Sequence, residues 1–218
     1  MQEYESRFWQ LRLEHCKKAL ENNNFEVFVA QTFAEAKIIF KREILPSLIV
    51  KTASWGDSLT LYETGILEFL KQNQSIDLIE TFAKDLPRGE ILERRRQALL
   101  VDLFFTGSNA VTETGKLVNL DMVGNRVGAI TFGPKNVVLL ISRNKLVKDV
   151  EKGMERIKAH AAPLNAIRHE GWKTPCVKTS LCMDCNSPDR ICNTWVITEK
   201  SYPRHRIKII LINQDGGL

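Results

Sequence analysis

The stretch from Leu103 to Ser142 constrains the fold more than any other part of this chain. Two apolar, strand-like runs bound it, Leu103–Phe105 and Val137–Ile141, and small polar residues with closely spaced glycines lie between them. Glycine lets a backbone turn with positive φ or approach a ligand closely, and hydroxyl and amide side chains offer hydrogen bonds without bulk. The pattern predicts a ligand site at the strand ends, and ordinary turns on a sheet are the alternative interpretation.

The candidate ligand-contacting residues come from turns that follow apolar runs. Ligands of open α/β sheets bind outside the carboxyl ends of the strands, and helix N-termini attract anions. The planar fork of an arginine side chain suits a carboxylate or phosphate. The turn after Leu48–Lys51 is equally well explained as a connection without a ligand. We predict that a small anionic metabolite contacts the turn residues Ser54, Gly56, Asp57, Thr106, Gly107, Ser108, Asn109, Thr112, Gly115, Asp121, Gly124, Asn125 and Arg126.

The order of the apolar segments predicts the fold class. Strand-like runs alternate with amphipathic segments along the 218 residues, which favours an α/β fold with a mostly parallel, open sheet flanked by helices. An N-terminal helix is expected within residues 1–24, and Thr194–Thr198 and Arg206–Ile212 are expected as closing strands joined by a turn at Pro203. Because no repeat or linker interrupts the pattern, one domain over residues 1–218 is predicted.

The composition favours a cytoplasmic protein. No apolar run approaches the ~20 residues that a membrane span requires, and no secretory signal follows the polar N-terminus. The formal net charge is +5, and the densest basic cluster, Arg94–Arg96, has acids one helical turn away. A solvated helix face is therefore favoured over a nucleic-acid-binding surface.

Four of the five cysteines fall in a loop-rich segment at residues 171–193. A Cys-x-x-Cys pair can chelate one ion, and two further thiolates would complete a tetrahedron, which suits zinc or an iron–sulfur cluster. A redox disulfide or reactive thiol, and reduced cysteines in a packed loop, stay open as alternatives. His169 is a candidate substitute ligand. The candidate metal ligands are Cys176, Cys182, Cys185 and Cys192.

Several segments resemble the signature of the lactate-utilisation (LUD) domain family. They are the run Phe104–Val118, Asp121 with Gly124–Arg126, and the short strand-like run Val137–Ser142 after Phe132–Pro134. Three further segments, Thr174–Cys176, Cys182–Cys185 and Ser187–Cys192, look like the cysteine-bearing branch of stand-alone family members. The resemblance covers nearly the whole chain. It implies a fold of the ribose-5-phosphate isomerase and CoA-transferase type.

The family resemblance also implies a function. The family is linked to the oxidation of lactate to pyruvate in bacteria, as part of a multi-protein iron–sulfur oxidoreductase system. The chain is therefore expected to bind a small anion within such a system, with iron–sulfur oxidoreductase subunits as partners, and homo-oligomers are a further expectation. A metabolite- or redox-sensing module without turnover is the first alternative.

A transferase- or isomerase-like enzyme is the second alternative, and it depends on Glu113. CoA transferases of this architecture use the Glu of a Glu-Asn-Gly turn as acyl-accepting nucleophile, and Thr112–Gly115 looks similar. The resemblance implies Glu113 as a catalytic carboxylate. This chain has Thr114 where that turn has Asn, and a turn carboxylate bonded to backbone N–H groups is the other interpretation.

Overall fold

The strands form two sheets, of which the larger is entirely parallel. The computed structural model describes residues 3–83 and 85–218. Its strands are β1 (Glu26–Ala30), β2 (Thr52–Trp55), β3 (Asp77–Ile79), β4 (Leu103–Thr106), β5 (Ala110–Thr112), β6 (Leu117–Asp121), β7 (Asn136–Ser142), β8 (Leu146–Val147), β9 (Thr194–Thr198) and β10 (Ile207–Ile212). The main sheet has the order β1-β10-β7-β4-β2-β3, and the smaller sheet has the order β8-β5-β6-β9.

Helices flank the main sheet and connect its strands. They are α1 (Glu3–Asn22), α2 (Phe33–Ile39), α3 (Leu59–Thr64), α4 (Ile66–Gln72), α5 (Arg88–Gln97), α6 (Asn125–Thr131), α7 (Val150–Arg156), α8 (Ala162–Ile167) and α9 (Pro175–Thr179). The helix α1 lies where the N-terminal helix was expected, and residues 1 and 2 of that prediction lie outside the described residues. In residues 3–83 and 85–218, no helix has both the length and the apolar character needed to cross a bilayer.

The central strands β7 and β10 are covered on both faces. Val137, Leu139 and Ile141 of β7 pack in one cluster with apolar residues of α1. Val138 and Leu140 pack on the opposite face, in a cluster with residues of α2, α3 and α4. All five side chains have no exposed surface, and burying a side chain of this size contributes about 1.5–3 kcal/mol. The predicted mostly parallel, open α/β sheet is confirmed.

The two last strands belong to different sheets. β9 pairs antiparallel with β6 in the smaller sheet, whereas β10 lies between β1 and β7 in the main sheet. Their exposure explains the difference, because β9 has exposed and half-buried residues that suit an edge, while all six residues of β10 are buried. The sequence predicts both as closing strands but not this division.

The turn between β5 and β6 packs directly against α1. Gly115 in this turn has φ +79°, and a Cβ atom there would lie 2.5 Å from the carbonyl carbon and oxygen of Ala19. The side-chain amide of Asn23 donates a hydrogen bond to the Gly115 carbonyl oxygen over 2.9 Å. The close contact of the helix with this turn therefore requires glycine.

The substitution Gly115→Ala is expected to destabilise the fold more than Gly124→Ala. Both positions have positive φ, at +79° and +93°, so both variants incur left-handed strain of about 1–2 kcal/mol. Only the Cβ at residue 115 also meets backbone, since nothing lies within 4 Å of a Cβ at residue 124. Urea unfolding of the two variants measures the difference, and equal losses in the free energy of unfolding would contradict this account.

Candidate functional site

A cavity of about 350 Å³ lies at the carboxyl ends of β2, β4 and β7. Small-molecule sites occupy about 300–1,000 Å³, so a metabolite fits. The walls come from the segments after these strands, the turn between β6 and α6, the helix α5, and residues 157–172. Parallel strands bring their carboxyl ends to one edge of the sheet, which is why these distant segments meet.

Basic side chains outnumber acidic ones among the described residues that line this cavity. Asp57 accepts a hydrogen bond from Tyr62 and forms an ion pair with Arg168. Asp121 lies 3.7 Å from the guanidinium of Arg126. Both acids therefore already face a cation of the protein. The basic lining residues are Arg88, Arg95, Arg126, Lys145 and Arg168.

Arg126 holds the turns beside the cavity together. Its side chain is only 12% exposed, and it donates hydrogen bonds to the Oδ1 atoms of Asn119 (2.7 Å) and Asn109 (2.9 Å). It also donates to the carbonyl oxygens of Gly107 (3.3 Å) and Leu120 (3.0 Å). Burial lowers the pKa of the guanidinium, although Asp121 opposes this effect. The interactions of Arg126 fix the loop after β4 to β6.

The helix α5 directs one of its three consecutive arginines to the cavity. Arg94 pairs with Glu90 and Arg96 pairs with Glu93, each within one helical turn. Arg95 lies between them, lines the cavity and has its Cζ 5.7 Å from the centre of the Phe82 ring. Its buried Nε atom has no hydrogen-bond partner in the described part of the chain.

Arg88 lines the cavity from the first position of α5. Within residues 3–83 and 85–218, neither Arg88 nor Arg95 takes part in a hydrogen bond or an ion pair. Burial, and to a smaller extent Arg88, lower the pKa of Arg95, while Asp121 raises it. These two guanidiniums therefore keep donors available for a ligand.

Lys145 lies in the turn that follows β7, and only 5% of its surface is exposed. Its Nζ atom donates a hydrogen bond to the Thr60 hydroxyl over 3.0 Å. Burial lowers the pKa of Lys145 to about 7, and the nearby charges of Arg156 and Arg126 act in the same direction, against Glu63. A buried amine that titrates near neutral pH is a candidate for proton transfer or nucleophilic chemistry.

Aromatic rings form part of the wall. His169 and Trp172 stack with their ring centres 4.2 Å apart, and both line the cavity. Burial and the neighbouring Arg168 lower the pKa of His169, which favours the neutral imidazole. His169 is therefore placed at the main cavity, and it is not among the residues around the cysteines.

The structure brings seven of the predicted ligand-contacting residues together at the cavity. Several of their polar groups bond to the protein itself, since Asn109 accepts from the backbone N–H of Leu120 as well as from Arg126, and Ser108 donates to the carbonyl of Ala110. They therefore build the wall as well as face the space within it. The seven are Asp57, Gly107, Ser108, Asn109, Asp121, Asn125 and Arg126.

Four other predicted residues lie near the cavity but do not line it. The Ser54 hydroxyl donates to the carbonyl of Ile79 inside the sheet. The Thr106 hydroxyl is buried and has no hydrogen-bond partner in residues 3–83 and 85–218. A Cβ atom at Gly56 would lie 2.8 Å from that hydroxyl, and Gly124 precedes α6 with open space around it. Their contribution to a ligand site stays a prediction.

Thr112, Glu113 and Gly115 lie at the smaller sheet, beside α1. Glu113 forms an ion pair with Arg12 of α1, and its backbone N–H donates to the Val147 carbonyl. The Thr112 hydroxyl accepts from the backbone N–H of Lys116. None of the three belongs to the cavity lining. Glu113 thus lies outside the cavity that Arg126 lines, and its catalytic role stays a prediction.

The four C-terminal cysteines surround a second, much smaller space beside α8 and α9. None of the four forms a disulfide bond. Burial raises the pKa of Cys192, and Cys182 and Cys176 add to this effect, against Lys158 and Arg190. Across the described ranges, no group of three or more His, Cys, Asp or Glu side chains is arranged to hold a metal ion. The arrangement of Cys176, Cys182, Cys185 and Cys192 therefore does not fit a bound metal as it stands.

Sequence reasoning missed several cavity residues. A signal existed for Lys145, because Arg143–Lys145 directly follows the apolar run of β7, at a strand end. The acids one helical turn away pair with Arg94 and Arg96, the two neighbours of Arg95, but neither of these ion pairs includes Arg95 itself. No local signal marks Arg168, His169 or Trp172, since their place depends on the packing of α8 over the strand ends.

Replacing the buried Lys145 by methionine is expected to stabilise the protein more at pH 6 than at pH 9. The pKa of Lys145 is about 7 in the folded protein and 10.5 in the reference state, so between these values the unfolded chain binds more protons. Stability then rises with pH over that window by about 1.4 kcal/mol per pH unit. The difference in the free energy of unfolding between Lys145→Met and wild type should therefore shrink by about 2–3 kcal/mol from pH 6 to pH 9.

Urea unfolding of wild type and Lys145→Met at both pH values provides the measurement. Lys148→Met, which alters an exposed lysine on the same segment, is the matched control. Its free energy of unfolding should change with pH as that of wild type does. Parallel profiles for all three proteins would show that the folded-state titration of Lys145 is ordinary.

Comparisons with known proteins identify the family. A search of curated proteins found no match. The crystal structure of a DUF162 family protein from Deinococcus radiodurans, at 1.70 Å resolution, is similar in fold with a TM-score of 0.52 and 12% sequence identity, covering 94% of this chain and 98% of that one. The family model described as LUD domain matches residues 13–212. The chain therefore belongs to the LUD domain family, as its motifs indicated.

Proposed function

We propose that the cavity binds a small metabolite that carries a carboxylate or phosphate, and that the chain provides this binding site within a lactate-utilisation oxidoreductase system. The LUD domain family is associated with lactate utilisation, and the chain belongs to it. The observation that carries the proposal is the pair Arg88 and Arg95, which line the cavity and form no ion pair among the described residues. The buried Nε atom of Arg95 also has no hydrogen-bond partner there.

The charge of the lining favours an anion. Asp57 and Asp121 are each held by an arginine of the protein, so the basic groups left over set the sign of the potential inside the cavity. A guanidinium binds a carboxylate or phosphate through two parallel hydrogen bonds. In a partly enclosed space, such bonds are screened less by water and salt than on an open surface.

The apolar part of the lining suits the remainder of a small metabolite. Phe82 and Trp172 stand beside basic residues, together with aliphatic side chains such as Leu59 and Ile157. Binding sites for small molecules combine an apolar lining with a few polar groups that fix orientation. A compact organic acid or a phosphorylated metabolite meets both requirements.

The transferase alternative would need a free carboxylate at the ligand, whereas the two aspartates of the described lining, Asp57 and Asp121, are each paired with an arginine. Glu113 pairs with Arg12 and does not line the cavity. Iron–sulfur subunits are proposed as partners on the family association alone, and no electron-transfer step is assigned to this chain.

The substitutions Arg88→Gln and Arg95→Gln are expected to weaken anion binding by at least about tenfold each. A hydrogen bond to a charged group contributes about 1.5–3 kcal/mol, and each 1.4 kcal/mol is a factor of ten in the dissociation constant. Calorimetric titration and thermal shift with lactate, pyruvate, inorganic phosphate, a sugar phosphate and an acyl-CoA measure the effect, because a ligand of the native state raises its apparent stability.

The matched control is Arg96→Gln, on the same helix. Arg96 is 64% exposed, pairs with Glu93 and does not line the cavity. This variant should bind as wild type does. An equal loss of anion affinity in all three variants would point to a general surface-charge effect. If none of these anions binds to and stabilises the wild-type protein, the proposed site is refuted.

A further inference from the structure

Lys145 is the one lysine that lines the cavity in the described part of the chain, and its surroundings are unusual for an ammonium group. A protonated lysine has three N–H donors. Within residues 3–83 and 85–218, the Nζ atom of Lys145 donates to one acceptor, the hydroxyl of Thr60. A charged Lys145 would therefore hold unsatisfied donors in a position with only 5% exposure.

The neighbouring charges also favour the neutral amine. Arg126 and Arg156 are close enough to oppose a further positive charge, and Glu63 is the acid that acts against them. Arg156 is anchored in place by the carbonyl oxygens of Asn144 and Asn109, at 3.0 and 2.9 Å. A desolvated lysine beside other cations is the environment in which enzymes activate the amine as a nucleophile.

The geometry points to one class of electrophile. A ligand whose anionic group is held by Arg88 and Arg95 would extend its other end into a cavity that also contains the Lys145 amine. The Lys145 amine is then available to a carbonyl group of that ligand, and an α-keto acid is the most compact anion that carries a reactive carbonyl. Such a carbonyl reacts with a neutral amine without any further reagent.

We propose that Lys145 is a catalytic nucleophile that forms an imine with the carbonyl carbon of an α-keto acid, an inference that rests on the proposed anion site. The Nζ atom adds to the carbonyl carbon, and a C=N bond replaces the C=O bond. The carbonyl oxygen leaves as water together with the two hydrogens of the amine. The step neither oxidises nor reduces the ligand, so it needs no redox partner.

The experiment is reductive trapping on the full-length protein. Pyruvate is added with sodium cyanoborohydride, which supplies the hydride that converts the imine into a stable secondary amine. The expected result is a mass gain equal to pyruvate less one oxygen atom, located at Lys145 by peptide mapping. Lys145→Met should lose the adduct, and Lys148→Met, at an exposed position of the same segment, should keep it.

Binding and trapping are measured separately, which distinguishes this inference from the proposed function. Pyruvate that binds by calorimetry but leaves no adduct at Lys145 overturns the imine and leaves the anion site standing. Lactate has a hydroxyl where pyruvate has a ketone, so it should bind without an adduct. An adduct that maps to other lysines overturns the inference, and the absence of both binding and adduct overturns both proposals. Mapping on wild type decides the question even if Lys145→Met does not fold.

Discussion

Burial of the main sheet on both faces is the constraint from which the rest of the structure follows. Because Val137–Ile141 of β7 and the whole of β10 have no free face, polar chemistry is confined to the strand ends. Helices must then cover both sides, and the connections between them converge at the carboxyl edge. The cavity lies there because that edge is where parallel strands leave backbone and side chains open to a ligand.

Much of the architecture was predictable because two central parallel strands contain continuous apolar runs, Leu103–Phe105 and Val137–Ile141. The position of β9 in the second sheet was not, since pairing with β6 depends on contacts between residues about 75 positions apart in the chain. The same limit applies to Glu113. Its turn resembles a catalytic motif, yet the neighbour that decides its environment is Arg12, on a helix about 100 residues away.

The site shows a similar division between local and long-range information. Glycines and small polar residues predicted the cavity wall at Gly107–Asn109 and Asp121–Arg126. They could do so because a turn depends on the residue types at a few neighbouring positions. The charges that face the ligand space come from α5 and from the region around α8, so only tertiary packing brings Arg95 and Arg168 near Asp121 and Asp57. Arg126, predicted as a ligand contact, meanwhile fixes the wall through Asn109 and Asn119.

The central place of β10 has a consequence for how the chain can fold during synthesis. Residues 207–212 pair with β1 on one side and with β7 on the other, although they are translated long after both. Until they emerge from the ribosome, β1 and β7 each have an unpaired apolar edge, the kind of surface that recruits chaperones or neighbouring chains. Insertion of this one late strand therefore joins β1 to the four strands on the other side of β10, and the main sheet is complete only after residue 212 has been synthesised.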